Sequence, residues 1–305
     1  MTGHLHHSPS AAARHRGRLL AVLGITAAAM LAEVAGGVLS GSLALLADAG
    51  HLFTDVVGAA VALTAVTVAN LPAPARRSYG NFRAEILGAL VNGVLLLAVC
   101  AVVGVEGVRR ILHPGPVAVL PMVVLGLVGL AANAAAVILL REGQAESLNV
   151  RGAYLEVVGD LLGSTAVVLA GLVIAVTGWR RADAVASLLI AAMILPRAVA
   201  LMREAVHVLS EGTPRGVDLE LLREHISSVP GVLDVHDLHV WAITSGMPVL
   251  SAHVVVSEAT AAASCGNASV LDQLAACVGD HFDLEHTTFQ IEPAGHDAHE
   301  HAGHD

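Results

Sequence analysis

Asp48-Ala49-Gly50-His51-Leu52-Phe53-Thr54-Asp55 stands inside an apolar stretch that runs from about residue 43 to residue 69. Spacings of three and four put Asp48, His51 and Asp55 on one face of a helix. A helix of that length crosses a hydrocarbon core of ~30 Å. Charge placed there costs about 2.5–3.5 kcal/mol per residue even on a lenient insertion scale, so such residues are functional candidates by default.

Around this stretch the pattern repeats. Apolar blocks occupy about 18–39, 43–69, 84–109, 117–140, 153–178 and 182–202, with Pro72, Pro74, Pro114, Pro116, Gly143, Gly152 and Gly178 at the breaks. With 55% hydrophobic and 14% charged residues, a purely soluble enzyme is excluded. A net charge of −10 and sixteen scattered arginines exclude a nucleic-acid binder. The first block continues past Glu33 with no small-residue cleavage site, so it is a retained helix and not a signal peptide. Arginines in the connections fall eight to one side (the N-terminal tail, the 2–3 loop and the 4–5 loop) and four to the other, which places both termini in the cytoplasm.

The fifth block carries a second acidic pair, Glu156 and Asp160, again four apart. One imidazole and three carboxylates on two helices are enough for a four-ligand tetrahedral site, with Zn2+ the natural occupant. Buried polar pairs that simply hold helices together are the alternative. The segments His51–Gly58 and Glu156–Gly163 also keep their acidic residue and following glycine in register. Helices 2 and 5 would run in opposite directions, so blocks 1–3 and 4–6 are expected to be inverted halves around a midplane site. Asp48 is a candidate to pass protons or to orient His51. Asp183 is expected to serve as a cap or an interfacial residue, and Glu85 to pair locally with Arg83.

Beyond the sixth block the composition becomes ordinary. Residues 205–293 read α-β-β-α-β: a helix behind a cap at Asp218, strands at about 232–243 and 248–257 joined by Ser245-Gly246-Met247-Pro248, a helix near 268–282 and a strand near 286–292. The expected organisation is an N-terminal His-containing tail at 1–17, a six-span domain at 18–204, a soluble α/β domain at 205–293 and a His-rich tail at 294–305. The tails hold eight of the seventeen histidines, spaced among acids, and are expected to gather divalent metal weakly. Cys100, Cys265 and Cys277 lack metal or disulfide spacing and read as small buried residues. In an ideal strand His236 and His239 face opposite ways and would not share an ion.

Four segments together resemble the cation diffusion facilitator family of metal–proton antiporters. They are Asp48–Asp55, the loop Ser78-Tyr79-Gly80 with Arg83-Ala84-Glu85-Ile86-Leu87, Gly159-Asp160-Leu161-Leu162-Gly163-Ser164, and His236-Asp237-Leu238-His239-Val240-Trp241. The resemblance covers about residues 18–293. It implies an α-helical membrane protein of six transmembrane helices with a small cytoplasmic metallochaperone-like domain, assembled as a homodimer. It also implies that His51, Asp55 and Asp160 ligate the transported ion, and that His236, His253 and Glu292 from separate strands form a second site. Gln290 stands where some relatives carry a further His. Glu156 departs from the His usual in zinc-selective members, and the harder, more anionic donor set admits Cd2+, Co2+, Mn2+ or Fe2+ beside Zn2+.

Metal entry into such a site expels protons, and protonation expels metal. The expected function is therefore efflux of Zn2+, with Cd2+ and Co2+ as further cargo, across the bacterial plasma (inner) membrane in exchange for H+. The expected partners are the ions and the lipid bilayer, with no prosthetic group and no enzymatic activity. The same fold carrying Mn2+ or Fe2+ is the main alternative. A metal-responsive membrane receptor has no need of intramembrane acids, and a membrane metalloenzyme would need a His-Glu-x-x-His motif, which the chain lacks.

Overall fold

The computed structural model describes residues 11–69, 76–141, 148–262, 266–282, 284 and 286–296. Its twelve elements run α1 (Ala11–Ser40), α2 (Leu43–Ala69), α3 (Arg83–Leu112), α4 (Val119–Leu140), α5 (Leu148–Thr177), α6 (Arg181–Leu209), α7 (Leu219–Ser227), β1 (Val232–Thr244), β2 (Met247–Val256), α8 (Glu258–Ala262), α9 (Gly266–Phe282) and β3 (His286–Pro293). They divide into two compact units, Met1–Leu63 with Val91–Met202, and Thr64–Leu90 with Arg203–Asp305.

Each of α1 to α6 is long and apolar enough to cross a membrane. Large apolar side chains such as Leu31, Val105, Leu120 and Val176 point outward, which suits a surface solvated by lipid tails. Small residues fill the inside. Ala44, Ala47, Ala170, Ala182, Ala186 and Ala198 pack with Leu96, Met122, Val167, Ile190 and Ile194 into one apolar cluster. Without a hydrophobic driving force between helices, such close approach through small residues supplies the packing energy. Helices α1, α4 and α5 adjoin one another around Val22, Ala136, Leu140, Val150 and Val157.

The helices exceed the expected blocks at several ends. Gly152 lies inside α5 instead of at a break, and α6 continues past residue 202 to Leu209 through Pro196. Gly178 does end α5, in a left-handed conformation (φ 69°) open to glycine at little cost. Pro114 and Pro116 separate α3 from α4. Pro72, Pro74, Gly143, Cys265, and of the tail histidines His4, His6, His7, His299, His301 and His304, lie outside the described residues. Asp183 is a cap, but of another helix: it accepts from Leu43 N at 2.8 Å and Ala44 N at 3.2 Å, at the start of α2.

In the second unit the Asp218 side chain caps α7 by accepting from the backbone of Glu220 and Leu221. Strands β1 and β2 pair antiparallel across a two-residue Ser245-Gly246 turn, and β3 adds parallel to β2, giving the order β1-β2-β3. The parallel addition needs a crossover, supplied by α9 and by the five-residue α8 that the sequence reading did not expect. Leu222, Ile226, Val235, Val240, Leu250, Val254, Leu274 and Val278 form its core.

A bulge in β1 overturns one expectation. His236 pairs with His253 and His239 with Ser251, so two residues on β1, Asp237 and Leu238, face one on β2, Ala252, and Asp237 takes a positive φ of 47°. The extra residue resets the alternation, and His236 and His239 lie on the same face. In the same unit Arg83 pairs with Glu211 at 3.0 Å, while Glu85 accepts from the Thr244 hydroxyl; the local Arg83–Glu85 pair is replaced by these longer-range contacts. Trp241 lines a cavity of about 490 Å³ with Arg76, Arg77 and Tyr79.

Candidate metal centre

Helices α2 and α5 bring His51, Asp55 and Asp160 together, each offering one ligand atom within 4.8 Å of the others. His51 Nε2 lies 3.5 Å from Asp55 Oδ2 and 3.4 Å from Asp160 Oδ1. A tetrahedral ion with ligand bonds of ~2.0–2.1 Å separates neighbouring ligand atoms by about 3.3–3.4 Å. The two edges that run from His51 Nε2 match those of such a tetrahedron. His51 and Asp160 are buried, and His51 Nδ1, Asp55 Oδ2 and Asp160 Oδ1 are buried polar atoms without a hydrogen-bond partner among the described residues. Orphaned atoms in native structures call for an explanation, and an absent ion is one.

The fourth expected residue is placed differently. Glu156 is outside this trio, and its Oε1 lies 2.5 Å from Arg197 Nη2 on α6. The same guanidinium nitrogen is 3.7 Å from Asp55 Oδ1. The four expected residues therefore form two layers, His51 with Asp160 and Asp55 with Glu156, as two antiparallel helices with i,i+4 pairs require. The insertion cost that marks Asp48 marks Arg197 equally, because both charges lie in apolar spans. Spacing along α6 nevertheless pairs Arg197 with nothing, since its partners come from α2 and α5.

One turn before His51, Asp48 belongs to a second buried polar cluster. Ser164 Oγ lies 3.0 Å from Asp48 Oδ2 and 3.5 Å from Glu33 Oε1, and accepts from Asn133 Nδ2 at 3.0 Å. Glu33, Asp48, Asn133 and Ser164 are all buried, and Glu33 Oε2 and Asn133 Oδ1 have no hydrogen-bond partner among the described residues. Glycines make the room: a Cβ on Gly163 would sit 2.6 Å from Asp48 Oδ1, and one on Gly129 would collide with the Glu33 carboxyl. Along the chain Glu33, Asp48, Asn133 and Ser164 are separate polar positions on four different helices, α1, α2, α4 and α5.

The second unit holds the other cluster. His236, His253 and Glu292 come from β1, β2 and β3, with a ligand atom from each within 4.8 Å of the others. His236 Nε2 is 3.2 Å from Glu292 Oε2, His253 Nδ1 is 2.9 Å from Glu292 Oε1, and the two rings meet edge to face at 5.1 Å. Glu292 is buried, and Gln290 donates to its Oε1 at 2.8 Å. Two imidazoles and one carboxylate are donors suited to a divalent ion, so the residues fit a metal. His239 shares their sheet face but is not part of the group.

Comparison with known proteins agrees with both parts of the chain. The family model described as "Cation efflux transmembrane domain" matches residues 19–210, and "Cation efflux protein, cytoplasmic domain" matches residues 214–294. The chain is similar to the "Metal cation efflux system protein CzcD" of Cupriavidus metallidurans, at 40% identity over 96% of this chain and 90% of that protein. It is 40% identical to the "Zinc transporter ZitB" of Escherichia coli, over 90% of this chain and 87% of the relative. It is 38% identical to the "Cadmium, cobalt and zinc/H(+)-K(+) antiporter" of Bacillus velezensis, over 88% and 85%. Among solved structures, the "Metal-bound C-terminal domain of the CzcD transporter" from Cupriavidus metallidurans is 41% identical, covering 25% of this chain and 99% of that one, with a TM-score of 0.23. The chain is a multi-pass membrane protein of the cation efflux family, the cation diffusion facilitators.

Proposed function

We propose that this chain is a proton-coupled antiporter that exports divalent metal cations, Zn2+ first, with Cd2+ and Co2+ as further cargo. It is a transporter and not an enzyme. The observation that carries the reading is the trio His51, Asp55 and Asp160, in which His51 Nε2 stands at tetrahedral edge distances from Asp55 Oδ2 and Asp160 Oδ1, two buried oxygens without a hydrogen-bond partner among the described residues. The names of relatives that this chain matches over most of its length, among them a zinc transporter and a cadmium, cobalt and zinc antiporter, support the cargo.

Coupling follows from ligand chemistry. Metal binds the neutral imidazole and ionised carboxylates, so loading from the cytoplasm releases protons, and protons arriving from the far side release the metal. Glu156 completes the donor set when the ion is bound, and its oxygen keeps Mn2+ and Fe2+ as competing cargo. Asp48, with Glu33 behind it, supplies a buried polar route beside His51 along which a proton can travel. The expected setting is the bacterial inner membrane with both termini cytoplasmic, in a homodimer joined through the cytoplasmic domains. His236, His253 and Glu292 would hold a regulatory metal ion in that domain.

Reconstitution in vesicles with an imposed pH gradient tests the reading. Zinc, cadmium, cobalt, manganese and iron fluxes are compared for wild type, Asp160→Ala and Glu156→His. Zinc flux that depends on the gradient, stops in Asp160→Ala and gains preference over manganese in Glu156→His is the expected result. Wild-type flux in Asp160→Ala would make the trio structural.

A further inference from the structure

Arg197 is a cation standing among the acids of a cation site. Its Nη2 lies 2.5 Å from Glu156 Oε1 and 3.7 Å from Asp55 Oδ1. We propose that Arg197 is a tethered counter-cation: it occupies the Asp55–Glu156 layer when no metal is bound, and the incoming divalent ion must displace it from Glu156. This rests on the transport-site reading above and adds a competitor to it.

Charge arithmetic supports the assignment. With His51 neutral, Asp55, Glu156 and Asp160 carry three negative charges within apolar spans, where unpaired charge is costly. One guanidinium reduces the surplus to two, and a divalent ion that takes its place reduces it to one, with the tethered guanidinium still close by to offset the remainder. A monovalent ion that displaced the guanidinium from Glu156 would only exchange one unit charge for another, and would lose its hydration in doing so. A divalent ion adds a charge, so the competitor favours divalent over monovalent cargo.

Geometry supports displacement over a permanent tether. A guanidinium meets a carboxylate through directed, charge-assisted hydrogen bonds, and the Glu156 oxygen engaged in this way is withdrawn from an ion. Correspondingly, Glu156 is absent from the trio whose ligand atoms converge. The pair is also accessible, with the Arg197 side chain 48% and Glu156 32% exposed, whereas Asp160 is 2% exposed. Less enclosed than Asp160, the guanidinium has room to swing off Glu156. The long arginine stem anchored on α6 keeps the head group near the site after it lets go, ready to return when the metal leaves.

The experiment is zinc binding by calorimetry on the full-length protein in detergent, in a His253→Ala background that removes the cytoplasmic cluster. Arg197→Gln should bind zinc at least about tenfold tighter than the background and release it more slowly, so that vesicle efflux falls while affinity rises. Arg197→Lys, which keeps the charge and loses the fork, should lie between the two. Damage to the fold cannot tighten binding, so the sign of the change separates competition from a structural role. Zinc binding in Arg197→Gln that is no tighter than in the background overturns the proposal. Zinc binding unaffected by Asp160→Ala would instead overturn the transport-site reading, whatever Arg197→Gln does.

Discussion

Asp183, near the start of α6, accepts hydrogen bonds from the Ser42 hydroxyl at 2.5 Å and from the first backbone N–H groups of α2. The helix that carries His51 and Asp55 is thus capped by a residue 140 positions away from Leu43 in the chain. First-turn N–H groups have no partner within their own helix, and a carboxylate there also meets the positive end of the helix dipole. Arg110 Nη1, 3.7 Å from Asp183 Oδ2, offsets part of the buried charge.

Removing that acceptor should therefore loosen α2. Asp183→Ala is expected to cost about 2–4 kcal/mol, from buried donors left unsatisfied. Asp183→Asn, which keeps one acceptor, should cost less. Denaturant unfolding of the detergent-solubilised protein reads the difference, and equal stability of Asp183→Ala and wild type would show the cap to be idle.

The glycines that admit buried acids make a second test. Gly129→Ala places a methyl against the Glu33 carboxyl and should destabilise by about 1–3 kcal/mol through overpacking. Gly279 in α9 has open space around its absent Cβ, so Gly279→Ala should gain up to about 1 kcal/mol in helix propensity. Thermal melts of the two variants should shift in opposite directions.

Ser164 links the Glu33–Asp48 cluster through one hydroxyl. Ser164→Ala leaves the Asn133 donor and both carboxyls without it, so zinc efflux should fall several-fold while equilibrium zinc binding at the trio persists. Loss of binding and efflux together would mean that the cluster only holds the fold.

The cytoplasmic cluster predicts a stoichiometry. Glu292→Gln should lower bound zinc by one ion per protomer in equilibrium dialysis and leave gradient-driven flux measurable. Unchanged stoichiometry would make the His236–Glu292 and His253–Glu292 contacts ordinary hydrogen bonds.

Much of this molecule is legible along one dimension. The six apolar blocks, the Asp218 cap and the Ser245-Gly246 hairpin all follow from local composition and spacing, because helix and strand periodicities are properties of neighbouring residues. Likewise, i,i+4 spacing puts His51 with Asp55 and Glu156 with Asp160 on single helix faces before any fold is known. Two local rules did fail for local reasons: Gly152 read as a break but sits within α5, and a bulge at Asp237 reset the alternation that separated His236 from His239.

What only the tertiary structure decided is which charges meet. Nothing along the chain pairs Asp183 with the N-terminus of α2, Ser164 with Asp48, Arg83 with Glu211, or Arg197 with Glu156. Each is a contact between elements far apart in sequence, and those of Asp183 with α2 and Ser164 with Asp48 satisfy polar groups buried inside apolar spans. Sequence periodicity determined the helices and the faces that carry acids. The packing of those faces decided that three of the expected ligands converge while the fourth is held by an arginine.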